Sequence, residues 1–174
     1  YERGNVVEDL KIIGDTTDTG TVVTFKADPS IFTDTTVYSY DTLLFRLREQ
    51  AFLNAGIRIV LKDERSDADI KDREDDLQFE GGIKSYVEYL LETDKKEKLN
   101  DDIIYISGMS GDSAAEIALV WSTSYSTKIM SFANTIHTVD GGTHEAAFKK
   151  SLSATVNKYG RDFKTLKEKS LSMD

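Results

Sequence analysis

Cysteine is absent from the 174 residues, and there is one proline, one tryptophan and two histidines. Without cysteine there is no disulfide, no thiolate zinc site and no cysteine nucleophile. The histidines, His137 and His144, lie seven residues apart across a Gly-Gly pair. Zinc takes three or four ligands, and Asp140 would make only a third, so no metal site is expected. No apolar run nears the roughly 20 residues that cross a bilayer, and residues 1–15 carry no signal-peptide pattern. The expectation is a cytoplasmic protein with no membrane partner. The chain does not open with methionine, which points to a piece of something longer.

Apolar residues make up 39% of the chain, with 8 Phe and 8 Tyr, enough for a packed core. Lysine and arginine number 22 against 31 aspartates and glutamates, a net charge of −9. That sign opposes tight binding of a phosphate backbone by the chain as a whole. Residues 63–78, "DERSDADIKDREDDLQ", hold eight acidic and three basic side chains, more than half of the surplus. They read as a solvated hairpin connection in which residues 66–75 are dispensable. A calcium loop does not fit, because no glycine or terminal glutamate falls at the required spacing.

Residues 20–32, "GTVVTFKADPSIF", read as a strand with Thr21, Val23 and Phe25 on one face, closed by Asp28, Pro29 and Ser30. Leu43, Leu44, Leu47 and Ala51 recur at helical spacing, with Gly56 as a stop. Residues 57–65 read as a strand. Ile83, Val87, Leu90 and Leu91 share a helix face behind Gly81-Gly82. "DDIIYISG", "AEIALVWS" and "KIMSFAN" read as a three-stranded meander. A last helix carries Phe148, Leu152, Val156 and Tyr159 on one side, with Thr143 as its N-cap, before a polar tail.

The short motifs carry little chemistry. "GMSGD" misses the nucleophile-elbow spacing and reads as a hairpin turn. The pairs Gly81-Gly82 and Gly141-Gly142 could offer backbone amides to an anion. No Gly-Lys-Ser or Gly-Lys-Thr follows either, so neither is a phosphate-binding P-loop. Both read more simply as tight bends into helices, where glycine takes φ > 0 without a steric cost.

Longer segments are more specific. "DTGTVVTFKADPSIFTDTTVYSYDTL", "RLREQAFLNAGIRIVLKDER", "FEGGIKSYVEYL", "EIALVWSTSY", "SFANTIHTVDGGTHEAAFKKSL" and "VNKYG" follow in the order found in B subunits of bacterial DNA gyrase, which the chain resembles over most of its length. The B subunit of topoisomerase IV shares that order and stays open as an alternative, as does a non-enzymatic interaction module with a ribosomal-S5-like fold.

The resemblance implies an α+β chain. Residues 1–78 would be the last part of a GHKL-type ATPase domain, an α/β sandwich. Residues 79–174 would be the first part of a transducer domain with a fold like ribosomal protein S5 domain 2. The implied activity is that of an ATP-dependent type IIA topoisomerase introducing negative supercoils. ATP and Mg2+ would serve the complete subunit, with neither held tightly by this piece. The implied partners are the gyrase A subunit, a second B subunit in an A2B2 enzyme, and a DNA duplex. Within "TGTVV", Thr21 matches the family threonine near the adenine, and Val23 would help to line the pocket. No catalytic residue falls within the chain, which alone is expected to be inactive. Thr135 departs from the family, which usually has asparagine there.

Overall fold

A computed structural model describes residues 1–2, 5–65 and 73–165. They group into two units, Tyr1–Tyr38 and Ser39–Asp174. In the first unit, the Asp28 carboxylate accepts from the Ser30 amide at 2.8 Å and the Ser30 hydroxyl at 2.7 Å. The Asp28 carbonyl takes the amides of Ile31 and Phe32. Proline at the second position suits such a turn, because its ring presets φ. Phe25 meets Tyr38 edge-on with ring centres 5.2 Å apart.

The expected strand over residues 20–32 is not observed: no ladder hydrogen bond forms there among the described residues. Val22, Val23 and Phe25 are 95%, 73% and 62% exposed. An alternating apolar pattern becomes a strand only when a second strand takes its amides and carbonyls.

The second unit holds the core. Helix α1, Tyr40–Leu53, starts at Ser39, whose side chain accepts from the Thr42 amide. Strands β1, Arg58–Lys62, and β2, Glu74–Gln78, pair antiparallel with Ile59 opposite Leu77 and Lys62 opposite Glu74. Tyr40, Leu44, Ala51 and Leu77 are buried together, flanked by Leu47, Ile59, Leu61 and Phe79. Each spacing of three or four residues along α1 returns an apolar side chain to this ladder.

Five residues of the acidic segment thus form β2. Its sequence, "EDDLQ", has almost no intrinsic preference for a strand. Tertiary contacts override that: Leu77 enters the core, and Arg58 grips Asp76 through both Nε and Nη2. The Tyr40 hydroxyl donates to Asp75 at 2.8 Å. Burial, and then the Asp75 carboxylate, push the Tyr40 phenol up to about 12, so it stays a donor. Arg73 lies over the Tyr40 ring, 4.0 Å from its centre, and its carbonyl accepts from the Asp63 amide.

Helix α2, Ile83–Thr93, buries Tyr86, with Ile83, Val87, Leu90 and Leu91 half-buried beside it. Strands β3, Ile104–Ser110, and β4, Ser113–Leu119, form a hairpin in full register from Ile104–Leu119 to Ser110–Ser113. β5, Phe132–Ala133, pairs instead with β6, Ile136–His137. The expected three-stranded meander is therefore two separate hairpins. Residues 134–135 reverse the chain at once and give β5 a partner of its own. Helix α3, Thr143–Asp162, keeps Phe148, Leu152 and Val156 half-buried, while Tyr159 is exposed and stacks on Phe163. The observed mix of helices and antiparallel hairpins agrees with the α+β expectation.

The expectation that residues 66–75 are dispensable does not survive for their last three members. Arg73 covers Tyr40, and Glu74 and Asp75 belong to the β1–β2 ladder. Deleting residues 66–75 is expected to cost more than about 2 kcal/mol in chemical denaturation. An undiminished unfolding midpoint would show that the Tyr40–Asp75 contact contributes nothing.

Candidate functional site

Three consecutive residues in the second half of α1 reach side chains or backbone that come after residue 78. Arg48 donates from Nη1 to the Tyr89 hydroxyl at 3.1 Å and lies 5.4 Å from that ring's centre. Glu49 is 4% exposed, and its Oε1 takes the Tyr86 hydroxyl at 3.3 Å. Gln50 donates from Nε2 to the Thr135 carbonyl at 3.0 Å. One helical turn on, Phe52 is 1% exposed and packs on Phe79, Tyr86 and Tyr89, with centres 3.7, 4.8 and 5.4 Å away.

A buried carboxylate is costly unless paired. Arg46, one helical turn back, donates to Glu49 Oε2 at 3.1 Å, and Tyr86 supplies the second donor. Burial, followed by the Glu49 charge, raises the Tyr86 phenol above its ordinary value, so it remains protonated. Met130 Sδ lies 3.7 Å from the same hydroxyl.

The entry to α2 requires a glycine. Gly82 sits at φ 56°, in the left-handed region, as the N-terminal cap residue of α2. A Cβ there would stand 3.1 Å from the Ala55 Cβ and 3.6 Å from the Phe52 carbonyl. The first Gly-Gly pair thus serves close packing of α2 against the end of α1.

The second pair divides its roles. Gly141 takes φ 73°, whereas Gly142 is extended and caps α3 in place of the expected Thr143, which is the first helical residue. A Cβ on Gly142 would meet only the movable His144 ring, at 2.7 Å. The Glu145 carboxylate lies beside Gly141, where a Cβ would be 3.4 Å from Oε2. A carboxylate of the chain's own at the mouth of the bend opposes a second anion, which answers the anion-site reading.

Below the bend, Ser131 donates to Glu145 Oε2 at 2.7 Å and lies 2.8 Å from the Thr138 hydroxyl. Thr138 lies 3.2 Å from His144 Nε2, and Lys149 pairs with Glu145 at 3.0 Å. The histidines do not converge: the His137 ring lies tilted beside Phe132, with centres 5.0 Å apart, while His144 meets Thr138. Among the described residues no three of His, Cys, Asp and Glu gather as a metal-ligand group.

Thr21 and Val23 lie in the first unit, outside any helix or strand, and both are exposed. Residue patterns alone did not point to Arg48, Glu49, Gln50 or Tyr86. One signal was present: Glu49 shares a face with Phe52 three residues on, and a carboxylate at a core position asks for a partner.

Thr135 is the hairpin's costly residue. Asn134 and Thr135 form the two-residue loop between β5 and β6 at φ 47° and 67°. Positive φ at both positions defines a type I′ turn, which favours asparagine and glycine. A β-branched side chain there is strained.

Comparison with known proteins supplies a context. A family profile described as DNA gyrase B matches residues 82–174. The DNA gyrase B subunit of Staphylococcus epidermidis is 52% identical over 168 residues, covering 97% of this chain and 25% of that protein. Its counterpart in Staphylococcus aureus is 50% identical over 168 residues, covering 97% and 26%. The chain therefore spans about a quarter of the length of these relatives. Among solved structures, the 43K ATPase domain of Thermus thermophilus gyrase B, in complex with an aminocoumarin, matches with a TM-score of 0.68 at 31% identity. That match covers 82% of this chain and 37% of the other.

Two substitutions test the hairpin and the bend. Thr135→Gly is expected to stabilise the protein by about 1 kcal/mol, since relief of strain exceeds the entropy of a new glycine. A lower melting temperature would mean that the threonine side chain compensates for its backbone. For Glu145, the Ser131 hydrogen bond, followed by Lys149, holds the carboxyl below its ordinary value of 4.5. Its contribution is therefore present above that value and is lost as pH falls through the lowered folded value. Glu145→Gln should melt below wild type at neutral pH, and the gap should close on acidification below 4.5. A gap independent of pH would show that charge is not what the cluster uses.

Proposed function

The chain belongs to the DNA gyrase B family, and from that premise we propose that it forms part of the ATP-binding and transducer region of a gyrase B subunit. Its work there is to couple ATP binding and hydrolysis to DNA strand passage and negative supercoiling. The observation that carries the reading is 52% identity sustained over 97% of the chain. The names of these relatives favour gyrase over topoisomerase IV.

In this proposal residues 1–78 close an ATPase domain of GHKL type and residues 79–174 open the transducer. The joint around Phe52 supports a functional seam near residue 78, because α1 packs with Leu77 before it and with Phe79 and Tyr86 after it. Thr21 and Val23 are assigned to the adenine. A hydroxyl suits the polar edge of a purine and a branched apolar side chain suits its face. ATP, when bound, would supply the free energy that drives the cycle. What these residues contribute is binding at Thr21 and Val23 and mechanical continuity through α1. Ligands for Mg2+ are not assigned, since the described residues gather no group of three suitable side chains. The partners proposed are the gyrase A subunit, a second B subunit and a DNA duplex, in the bacterial cytoplasm.

Thr21→Val in the intact subunit tests the assignment. It preserves shape and removes the hydroxyl, so a buried partner would lose about 1–3 kcal/mol. Calorimetric titration with a non-hydrolysable ATP analogue should show roughly ten- to hundredfold weaker binding, with an unchanged melting temperature for the free protein. Equal affinity would make Thr21 an ordinary exposed residue of the first unit.

A further inference from the structure

We propose that Gln50 is a positioning residue for coupling. By holding the Thr135 carbonyl it locks the β5–β6 hairpin to α1, and its release lets the hairpin shift against α1. The proposal rests on the coupling function proposed above.

The two sides of this contact are fixed in different ways. α1 is bound to β1 and β2 by the buried cluster of Tyr40, Leu44, Ala51 and Leu77. The hairpin has only two paired residues in each strand, with Ile136 71% exposed. Its ring contact to α2 is loose, Phe132 lying 6.3 Å from Tyr86 at a tilt of 47°. A short hairpin with little apolar packing relies on directional bonds to hold its place. Gln50 Nε2 to Thr135 O, at 3.0 Å, is the hydrogen bond to it that α1 provides among the described residues.

The acceptor is unusual. The carbonyl belongs to a β-branched residue at φ 67°, a conformation that persists only where its surroundings impose it. Any relaxation of Thr135 towards negative φ rotates the peptide planes of the turn and carries the carbonyl away from Gln50. The hydrogen bond and the strained turn therefore form and break together, as a two-position element. Such elements convert small displacements into discrete rearrangements.

The far side of the hairpin is wired onward. Thr138, directly after β6, donates to the Ser131 carbonyl directly before β5, and Ser131 holds Glu145 in the first turn of α3. A shift at the hairpin tip thus reaches α3 through its stem. Glu49 and Phe52 lie on the same helix as Gln50 but are buried. They support the joint, whereas Gln50 is half-exposed and can exchange its acceptor for water.

The experiment uses the intact subunit with the gyrase A subunit, and reads supercoiling, ATP hydrolysis and melting temperature on the same preparations. Gln50→Glu keeps the shape, removes the donor and sets a carboxylate against the carbonyl. Gln50→Lys keeps a donor of similar reach. With Gln50→Glu, ATP consumed per supercoil introduced should rise about three- to tenfold, the range for one lost hydrogen bond. Its hydrolysis rate and melting temperature should stay near wild type, and Gln50→Lys should restore coupling. Unaltered coupling in Gln50→Glu overturns the proposal, as does a parallel fall of both activities with a lower melting temperature, the mark of a merely structural contact. A wild-type subunit lacking ATP-dependent supercoiling would instead overturn the underlying functional reading.

Discussion

The ring of Phe52 is the apolar centre of the joint between α1 and the chain beyond residue 78. It lies against Phe79 in a near-parallel stack at 3.7 Å and against Tyr86 at 4.8 Å, with only 1% of its surface left to solvent. The approach of α2 that makes this possible depends on Gly82, whose missing side chain leaves room for Ala55 and the Phe52 carbonyl. Stacked rings attract without fixing their rotation or slide, because dispersion between flat faces changes little over small displacements. Orientation must come from bonds with direction. The polar residues just before Phe52 supply it: Arg48 to Tyr89, Glu49 to Tyr86 and Gln50 to Thr135. Apolar contact provides cohesion here and polar contact provides the register.

The helices were legible because their apolar residues repeat at helical spacing and their ends carry recognisable residues. The glycine pairs before α2 and α3 mark starts that the structure reproduces within a residue or two. The failures concern strands, and each has a physical cause. β2 hides in a run of carboxylates because its stability comes from Arg58, Tyr40 and the buried Leu77, with Arg58 and Tyr40 distant in sequence. Residues 20–32 show the opposite error, an alternating pattern without a pairing partner among the described residues. Strand character belongs to a pair of segments, so one segment read alone can mislead in both directions.

The site was legible in part. Both glycine bends were visible as bends. Which glycine of each pair carries the positive φ was not, because that depends on the direction from which the chain arrives. Gly142 is extended, and Gly141 beside it is the constrained one. The departure at Thr135 was visible as a residue choice, and its backbone strain explains why asparagine is the easier occupant. Glu49 and Gln50 stayed hidden because helical periodicity counts apolar residues and passes over polar ones that face inward to meet a specific acceptor or donor.

Trp121 lies just past β4 and is the chain's one indole, 47% exposed. Its backbone is tied on both sides, the carbonyl accepting from the Leu99 amide at 2.7 Å and the amide donating to Asn100 Oδ1 at 2.8 Å. The ring therefore stands half in water on a stationary mount. Ultraviolet emission excited at the red edge comes from this one position, free of the averaging that several indoles would impose. Its colour and quenching report what approaches the end of the β3–β4 hairpin, without any label having to be attached.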